Sequence, residues 1–384
     1  MTKKQDSLAL LPNGFVDLLP PYAQGEANSI QTLMDRFTAF GYRRIKPPML
    51  EFEDSLLAPG PGEQLSSETF RLMDPVTHRM LGVRADITAQ VSRIVSSRLQ
   101  NEPRPLRLTY ANDVLRTRGS QMRTERQFVQ VGCELIGNIE GVQSDIEICV
   151  LALLGLKSLE IEDITLDLTI PGFVRRLLGD TPLNQVTVIE KAVKQRDVEA
   201  LEAMEIAEAS VIAQVIGTVG SAKDALGALE KIDLPVSLQE DLVRLRKVYQ
   251  GIVDVMADLK IDDVSLTMDV LEQCGFEYHK SLGFTLFSSN IRGELGRGGC
   301  YDVHFGQGED DELARGFTLY MDTISRSKTS FPEEKRVFVS ADEPWSTIIE
   351  IQEQGWIVVR GASENEKTSE CSHVYRNGKI QKLG

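Results

Sequence analysis

No apolar run in this 384-residue chain approaches the ~20 residues needed to span a bilayer, so a membrane-spanning helix is not expected. Histidine is scarce: there are four, with no HxxxH or HxH spacing, and no structural or catalytic zinc site is expected. The five cysteines (Cys133, Cys149, Cys274, Cys300, Cys371) are scattered and form no CxxC pair, which argues for reduced thiols over a disulfide framework. The opening MTKKQDSLALLPNG lacks a sustained apolar segment and a small-residue cleavage site, so a cytoplasmic location is expected. Net positive charge is also missing. The formal charge of -15 disfavours broad, nonspecific binding to nucleic acid, which needs cations to neutralise phosphates.

What is present is ordinary soluble-protein material, 42% hydrophobic and 26% charged, long enough for two or three domains with a substantial core. Ile30, Leu33, Met34, Phe37 and Phe40 recur at helical spacing and predict a helix over Tyr22 to Phe40, stopped by Gly41. A short strand opens GYRRIKPPMLEFEDSLL, and its Pro47 and Pro48 confine it to an edge or interface. A hairpin is expected from Thr69 to Val83, turning near Asp74-Pro75, and then a helix striped by Ile87, Val91, Ile94 and Val95. Asp86 and Thr88 stand at its start, where capping groups and anions collect.

The stretch Arg107 to Gly137 reads as two strands joined by a basic loop. Alternation places Val129, Val131, Cys133 and Leu135 on one face of the second strand, and Arg126, Phe128, Gln130, Gly132 and Glu134 on the other. Gln130 and Glu134 lie about 13 Å apart along the backbone, positioned to converge over Gly132 on a small polar ligand. Alternation alone favours a solvated antiparallel face. Arg116, Arg118, Arg123 and Arg126 form a local basic patch, suited to phosphate or carboxylate or simply exposed on a hairpin. Asp145 to Ser158 reads as a helix and Ile164 to Leu168 as a strand. From about 171 to 260 the pattern is almost entirely helical, and sheet-like sequence resumes at GFTLFSS and GELGRGGCYD. The tail carries a strand-helix-strand pattern in RVFVSA, DEPWSTIIEIQEQG and WIVVRG, with a further strand at SHVYRNG.

In this order, GYRRIKPPMLE, the central hairpin, GRGGCYD and ARGFTLYMDTISR resemble the core of class II aminoacyl-tRNA synthetases, most closely the histidyl-tRNA synthetase type, over about the first 330 residues. The resemblance implies an α+β fold: an antiparallel sheet flanked by helices over 1–170 and 261–330, a helical insertion at 171–260 and a small C-terminal α/β segment at 331–384. It also implies a dimer through the Pro48 segment. The positions that hold histidine in such synthetases match Asp86, Thr88, Gln130, Glu134, Tyr278 and Tyr301, with Arg116 beside them; the second of the family's paired tyrosines is here His279. A carboxylate suits the ligand's ammonium, and Gln and Glu can hydrogen-bond an imidazole.

The nucleotide machinery departs from the pattern. Where the second motif carries Arg-x-Glu, this chain has Arg116-Thr117-Arg118. Thr323 stands where the third motif places an arginine on the ATP phosphates, and Cys274 where an arginine precedes Gly-Leu-Asp-Tyr, here Gly275, Phe276 and Glu277 onward. Such losses remove stabilisation of phosphoryl charge. An aminoacyl pocket without ATP chemistry, and with only a short tail in place of the anticodon domain, resembles the regulatory subunits of ATP phosphoribosyltransferase. That resemblance implies a noncatalytic chain with no cofactor or metal. Its partners would be a short-form catalytic subunit, a second copy of itself and free histidine, with no tRNA. The alternatives are a divergent amino-acid-activating enzyme and a binding module for tRNA-like RNA.

Overall fold

The computed structural model describes residues 10–58, 61–119, 123–137, 141–179, 181–204, 206–272, 278–303, 312–327, 334–362 and 371–383. They fall into two compact units, Met1–Lys328 and Thr329–Gly384. The larger unit opens with α1 (Tyr22–Ala39), whose Ser29, Leu33, Met34 and Phe37 form one buried stripe. Gly41 ends it at φ +84°, a left-handed conformation that suits glycine at this helix-ending position. Next come β1 (Arg43–Arg44), β2 (Leu50–Phe52), α2 (Glu53–Leu56), β3 (Arg71–Met73), β4 (Met80–Val83), α3 (Thr88–Arg98), β5 (Leu106–Leu115), β6 (Gln127–Ile136), α4 (Gln143–Ser158) and β7 (Ile164–Thr169). The stretch that the sequence marks as helical holds α5 (Phe173–Leu178), α6 (Leu183–Gln195), α7 (Val198–Glu202), α8 (Ala207–Ile216), β8 (Gly220–Ser221), α9 (Ala222–Leu229) and α10 (Val236–Asp258). The unit closes with β9 (Val264–Met268), β10 (His279–Ser288), β11 (Ile291–Val303), β12 (Glu312–Tyr320) and α11 (Met321–Ser325).

These strands build a nine-stranded sheet in the order β1-β5-β6-β12-β11-β10-β7-β9-β8. Every pairing is antiparallel except β1 with β5 and β7 with β9. The short strand before Pro47 and Pro48 is the sheet's edge, as two prolines require. A second sheet of three strands, β2-β4-β3, contains the expected hairpin around Asp74.

Both faces of the large sheet are covered. On one, Leu33 and Phe37 of α1 and Ile148 and Ala152 of α4 pack against Val131, Cys133 and Leu135 of β6. On the other, Ile87, Val91 and Val95 pack against Leu106, Leu108 and Tyr110 of β5 and Tyr301 of β11. A solvated polar face on β6 is therefore incorrect: Gln130 is 0% and Glu134 1% exposed. The strand alternates as expected, but α3 and its flanking turn cover its polar side.

The smaller unit contains β13 (Arg336–Ser340), α12 (Trp345–Glu353), β14 (Ile357–Gly361), β15 (His373–Arg376) and β16 (Lys379–Lys382), in sheet order β14-β13-β15-β16. β14 and β15 flank β13 in parallel, around Val337, Val339, Ile348 and Ile351. The terminal strand β16, which the sequence pattern did not suggest, pairs antiparallel with β15.

Candidate functional site

The turn before α3, β6, the start of β10, and the strands β11 and β12 converge on a cavity of about 450 Å³. Asp86, Thr88, Arg116, Glu134, Tyr278 and Tyr301 all line it. Gln130 does not. Its side chain lies behind the wall, where its amide donates to Asp86 Oδ2 at 2.7 Å and accepts the Ile87 N–H at 3.1 Å. The Thr88 N–H donates to Asp86 Oδ1 at 2.8 Å. Both carboxylate oxygens of Asp86 are thus fixed before a ligand arrives, and Gln130 is the clamp that fixes the turn.

Gln130 and Glu134 share a face but do not converge over Gly132. The phenol of Tyr110, from the neighbouring β5, fills that space: a Cβ built on Gly132 would stand 2.5 Å from its hydroxyl and 2.4 Å from the Phe317 carbonyl. Tyr110 donates to Glu134 Oε1 at 3.3 Å and shares a 2.8 Å hydrogen bond with Thr318. Glu134 also accepts from Tyr301 at 2.9 Å and from Thr88 Oγ1 at 3.4 Å. It lies flat against β12, where a Cβ at Gly316 would be 1.7 Å from its Oε2. Burial, with the nearby Asp86 adding and the hydrogen bonds from Tyr301, Tyr110 and Thr88 opposing, pushes the Glu134 carboxyl up to about 8. The carboxyl is accordingly held largely protonated at neutral pH, ringed by hydroxyls and ready to exchange a proton with a basic ligand.

The opposite wall is aromatic. Tyr278 stacks on His279 at 4.2 Å between centroids and meets Tyr301 edge-on at 5.9 Å. The His279 ring lies over Gly299, whose Cβ would come within 2.6 Å of its Cδ2. Burial, with Arg297 adding, lowers the His279 imidazolium to about 3, so the ring is neutral in the physiological range. Together these groups present an acceptor-rich end, a flat aromatic wall and, nearby, cations: an arrangement that fits a small zwitterion carrying a planar basic group.

The basic patch divides. Arg116 and Arg123 line the cavity, and with Arg118 they line an adjoining one of about 290 Å³. Arg116 pairs with Glu68 at 3.3 Å, and Arg123 with Asp322 at 3.0 Å while lying over Tyr320 at 3.7 Å. Arg126 lies over Phe15 and Phe70, outside the cavity. Thr323 is 1% exposed, so an arginine there would have to displace core. Cys274 to Glu277 lie outside the described residues. Sequence reasoning missed Tyr110, Arg297 and Glu294, all at or behind the cavity wall. A charged residue amid the glycines of GELGRGGCYD was the available signal for Arg297.

The family model described as histidyl-tRNA synthetase matches residues 14–324. An ATP phosphoribosyltransferase regulatory subunit of Rhodospirillum centenum is 40% identical over 98% of this chain and 97% of its own length. Among solved structures, an ATP phosphoribosyltransferase regulatory subunit/histidyl-tRNA synthetase from Bacillus halodurans C superposes with a TM-score of 0.78 at 20% identity, covering 94% of each chain. A chain of the ATP phosphoribosyl transferase (HisG:HisZ) complex from Thermotoga maritima superposes with a TM-score of 0.58 at 18% identity, covering 77% of this chain and 97% of that one. At such identities these two structures speak to the fold.

Proposed function

Because the chain belongs to the ATP phosphoribosyltransferase regulatory-subunit family, built on the histidyl-tRNA synthetase domain, we propose that it is a noncatalytic subunit that activates a short catalytic partner and senses histidine through the Glu134 cavity. The partner condenses ATP with phosphoribosyl pyrophosphate, the first step of histidine biosynthesis, in the cytoplasm. One observation carries this reading: most residues matched to the amino-acid end meet in one cavity, and the phosphate end lacks its arginine. Asp86, Thr88, Glu134, Tyr278 and Tyr301 meet in one cavity, whereas Thr323 is buried at a position where adenylation requires a cation.

The histidine imidazole is assigned to Glu134 and the hydroxyls of Tyr301 and Thr88, and the ammonium to Asp86, whose geometry Gln130 sets. Arg116 lines the cavity beside them. Self-association through the Pro48 segment is supported by apolar side chains left exposed beside it and on the three-stranded sheet: Met49, Leu50, Leu72, Met73 and Met80. The charge of -15 disfavours tRNA as a partner.

The test is a phosphoribosyltransferase assay of the short catalytic subunit from the same organism, with and without this chain, then with histidine. Activation by the chain and inhibition by histidine are expected. No activation of a properly folded partner would overturn the reading, and ATP–pyrophosphate exchange by the chain itself would favour the synthetase-like alternative.

A further inference from the structure

Three guanidinium groups line the cavity, those of Arg116, Arg123 and Arg297. Two hold the architecture together. Arg123 bridges the central hairpin to Asp322 and lies over the Phe128 and Tyr320 rings. Arg116 donates to the Ala85 carbonyl and pairs with Glu68, joining the hairpin to the turn before α3. Arg297 is different. It projects from β11 on the same side as Gly299 and Tyr301, two and four residues on, so that the His279 ring over Gly299 separates it from the Glu134 end.

The strand is bent to build this position. Arg297 pairs with Glu294 at 2.5 Å, although residues three apart on a regular strand point to opposite faces. The register supplies the reason: Ser288 pairs with Ile291 and Leu286 with Gly296, so residues 292–295 stand opposite Phe287 alone. Within this bulge Gly293 adopts φ +109°, and Glu294 comes round beside Arg297 on the cavity wall. Bulges that re-aim a side chain cluster at binding sites. On the opposite face of the strand glycine is needed for packing: a Cβ at Gly298 would fall 2.4 Å from the ring of Phe284 in the core. A charged pair only 16% and 23% exposed, set in a wall of glycines and aromatics, is costly to desolvate.

Resting on the histidine-binding reading of the cavity, we infer that Arg297 anchors the ligand's carboxylate and so selects an amino acid over its decarboxylated or reduced analogues. Arg297 supplies a cation to the cavity wall from β11. A guanidinium presents five donors in a planar fork, so a ligand carboxylate and Glu294 can be held together. The cavity then has a fixed polarity, with basic groups at Asp86 and Glu134 and the acid group at Arg297.

The experiment is calorimetric titration of L-histidine and of L-histidinol, in which CH2OH replaces the carboxylate, into the full chain, alone and assembled with the catalytic subunit. Arg297→Gln and Arg297→Lys are titrated beside the wild type, with circular dichroism confirming the fold. A charge-assisted contact predicts that wild type prefers histidine by about ten- to a hundredfold, that Arg297→Gln loses most of that preference by weakening histidine alone, and that Arg297→Lys retains part of it. If wild type binds histidine and Arg297→Gln binds it equally well, or loses both ligands equally, the anchor is refuted while the histidine site stands. If Arg116→Gln abolishes the preference instead, the anchor is Arg116. If no state of wild type binds histidine, the histidine reading and the anchor fall together.

Discussion

Replacing Glu134 by glutamine should stabilise the protein at alkaline pH and leave it nearly unchanged at acid pH. The carboxyl is 1% exposed, and burial raises it from 4.5 to about 8. Between those values the folded chain holds a proton that the unfolded chain has released, so stability falls as pH rises through this window and the loss is complete above pH 8. At about 1.36 kcal/mol per pH unit, a window of about 3.5 units corresponds to a cost of up to about 5 kcal/mol. Glutamine has nearly the same shape and never ionises, while the hydroxyls of Tyr301, Tyr110 and Thr88 can reorient to meet its amide. The two proteins should therefore agree within about 1 kcal/mol at pH 5 and diverge by several kcal/mol by pH 9, with the variant the more stable. Urea unfolding at intervals across this range gives the difference directly, and other titrations cancel in it. Both tryptophans, Trp345 and Trp356, lie in the smaller unit, so far-ultraviolet circular dichroism is the appropriate probe for the unit containing Glu134. A stability difference independent of pH, or one favouring wild type more strongly above pH 7, would refute a protonated Glu134.

Gln130→Ala should weaken histidine binding about five- to tenfold through the loosened Asp86 turn, although Gln130 touches no ligand; unchanged calorimetric affinity would remove it from that role. Thr323→Arg alone should not restore adenylation, because Arg118 and Cys274 remain and the site at Thr323 is packed; pyrophosphate exchange well above background would contradict this. Asp145, 0% exposed, holds Arg315 and also the partly exposed Arg244 from α10, and Asp145→Asn should cost about 3–5 kcal/mol in urea unfolding by stranding the buried Arg315 cation. A loss under 1 kcal/mol would mean that those arginines find other partners.

The elements of the site were legible because they depend on local pattern. The helical stripe of α1, the prolines that confine β1 to an edge and the alternation of β6 are each written in a few consecutive residues. The roles of Gln130 and Glu134 were not legible to the same degree. Alternation puts both on one face, but whether that face meets water or a helix depends on α3, about forty residues earlier, and the space between them belongs to Tyr110 of the adjacent strand. Arg297 was obscured for a related reason. Counting by twos along GELGRGGCYD places Glu294 and Arg297 on opposite faces, and only the register shift against β10 brings them together.

The same geometry sets the scale of regulation available to this cavity. Histidine can inhibit an assembly only as far as it binds the inhibited state more tightly than the active one, and equal affinity shifts nothing however strong it is. A tenfold shift requires about 1.4 kcal/mol of difference, about the worth of one hydrogen bond. Glu134 alone is reached by three hydroxyls, from Tyr301 on β11, Tyr110 on β5 and Thr88 at the start of α3. On the proposed reading, a small movement of any of these elements that costs the bound imidazole one hydrogen bond is enough to supply that difference, so feedback of ordinary strength would need no large rearrangement of the pocket.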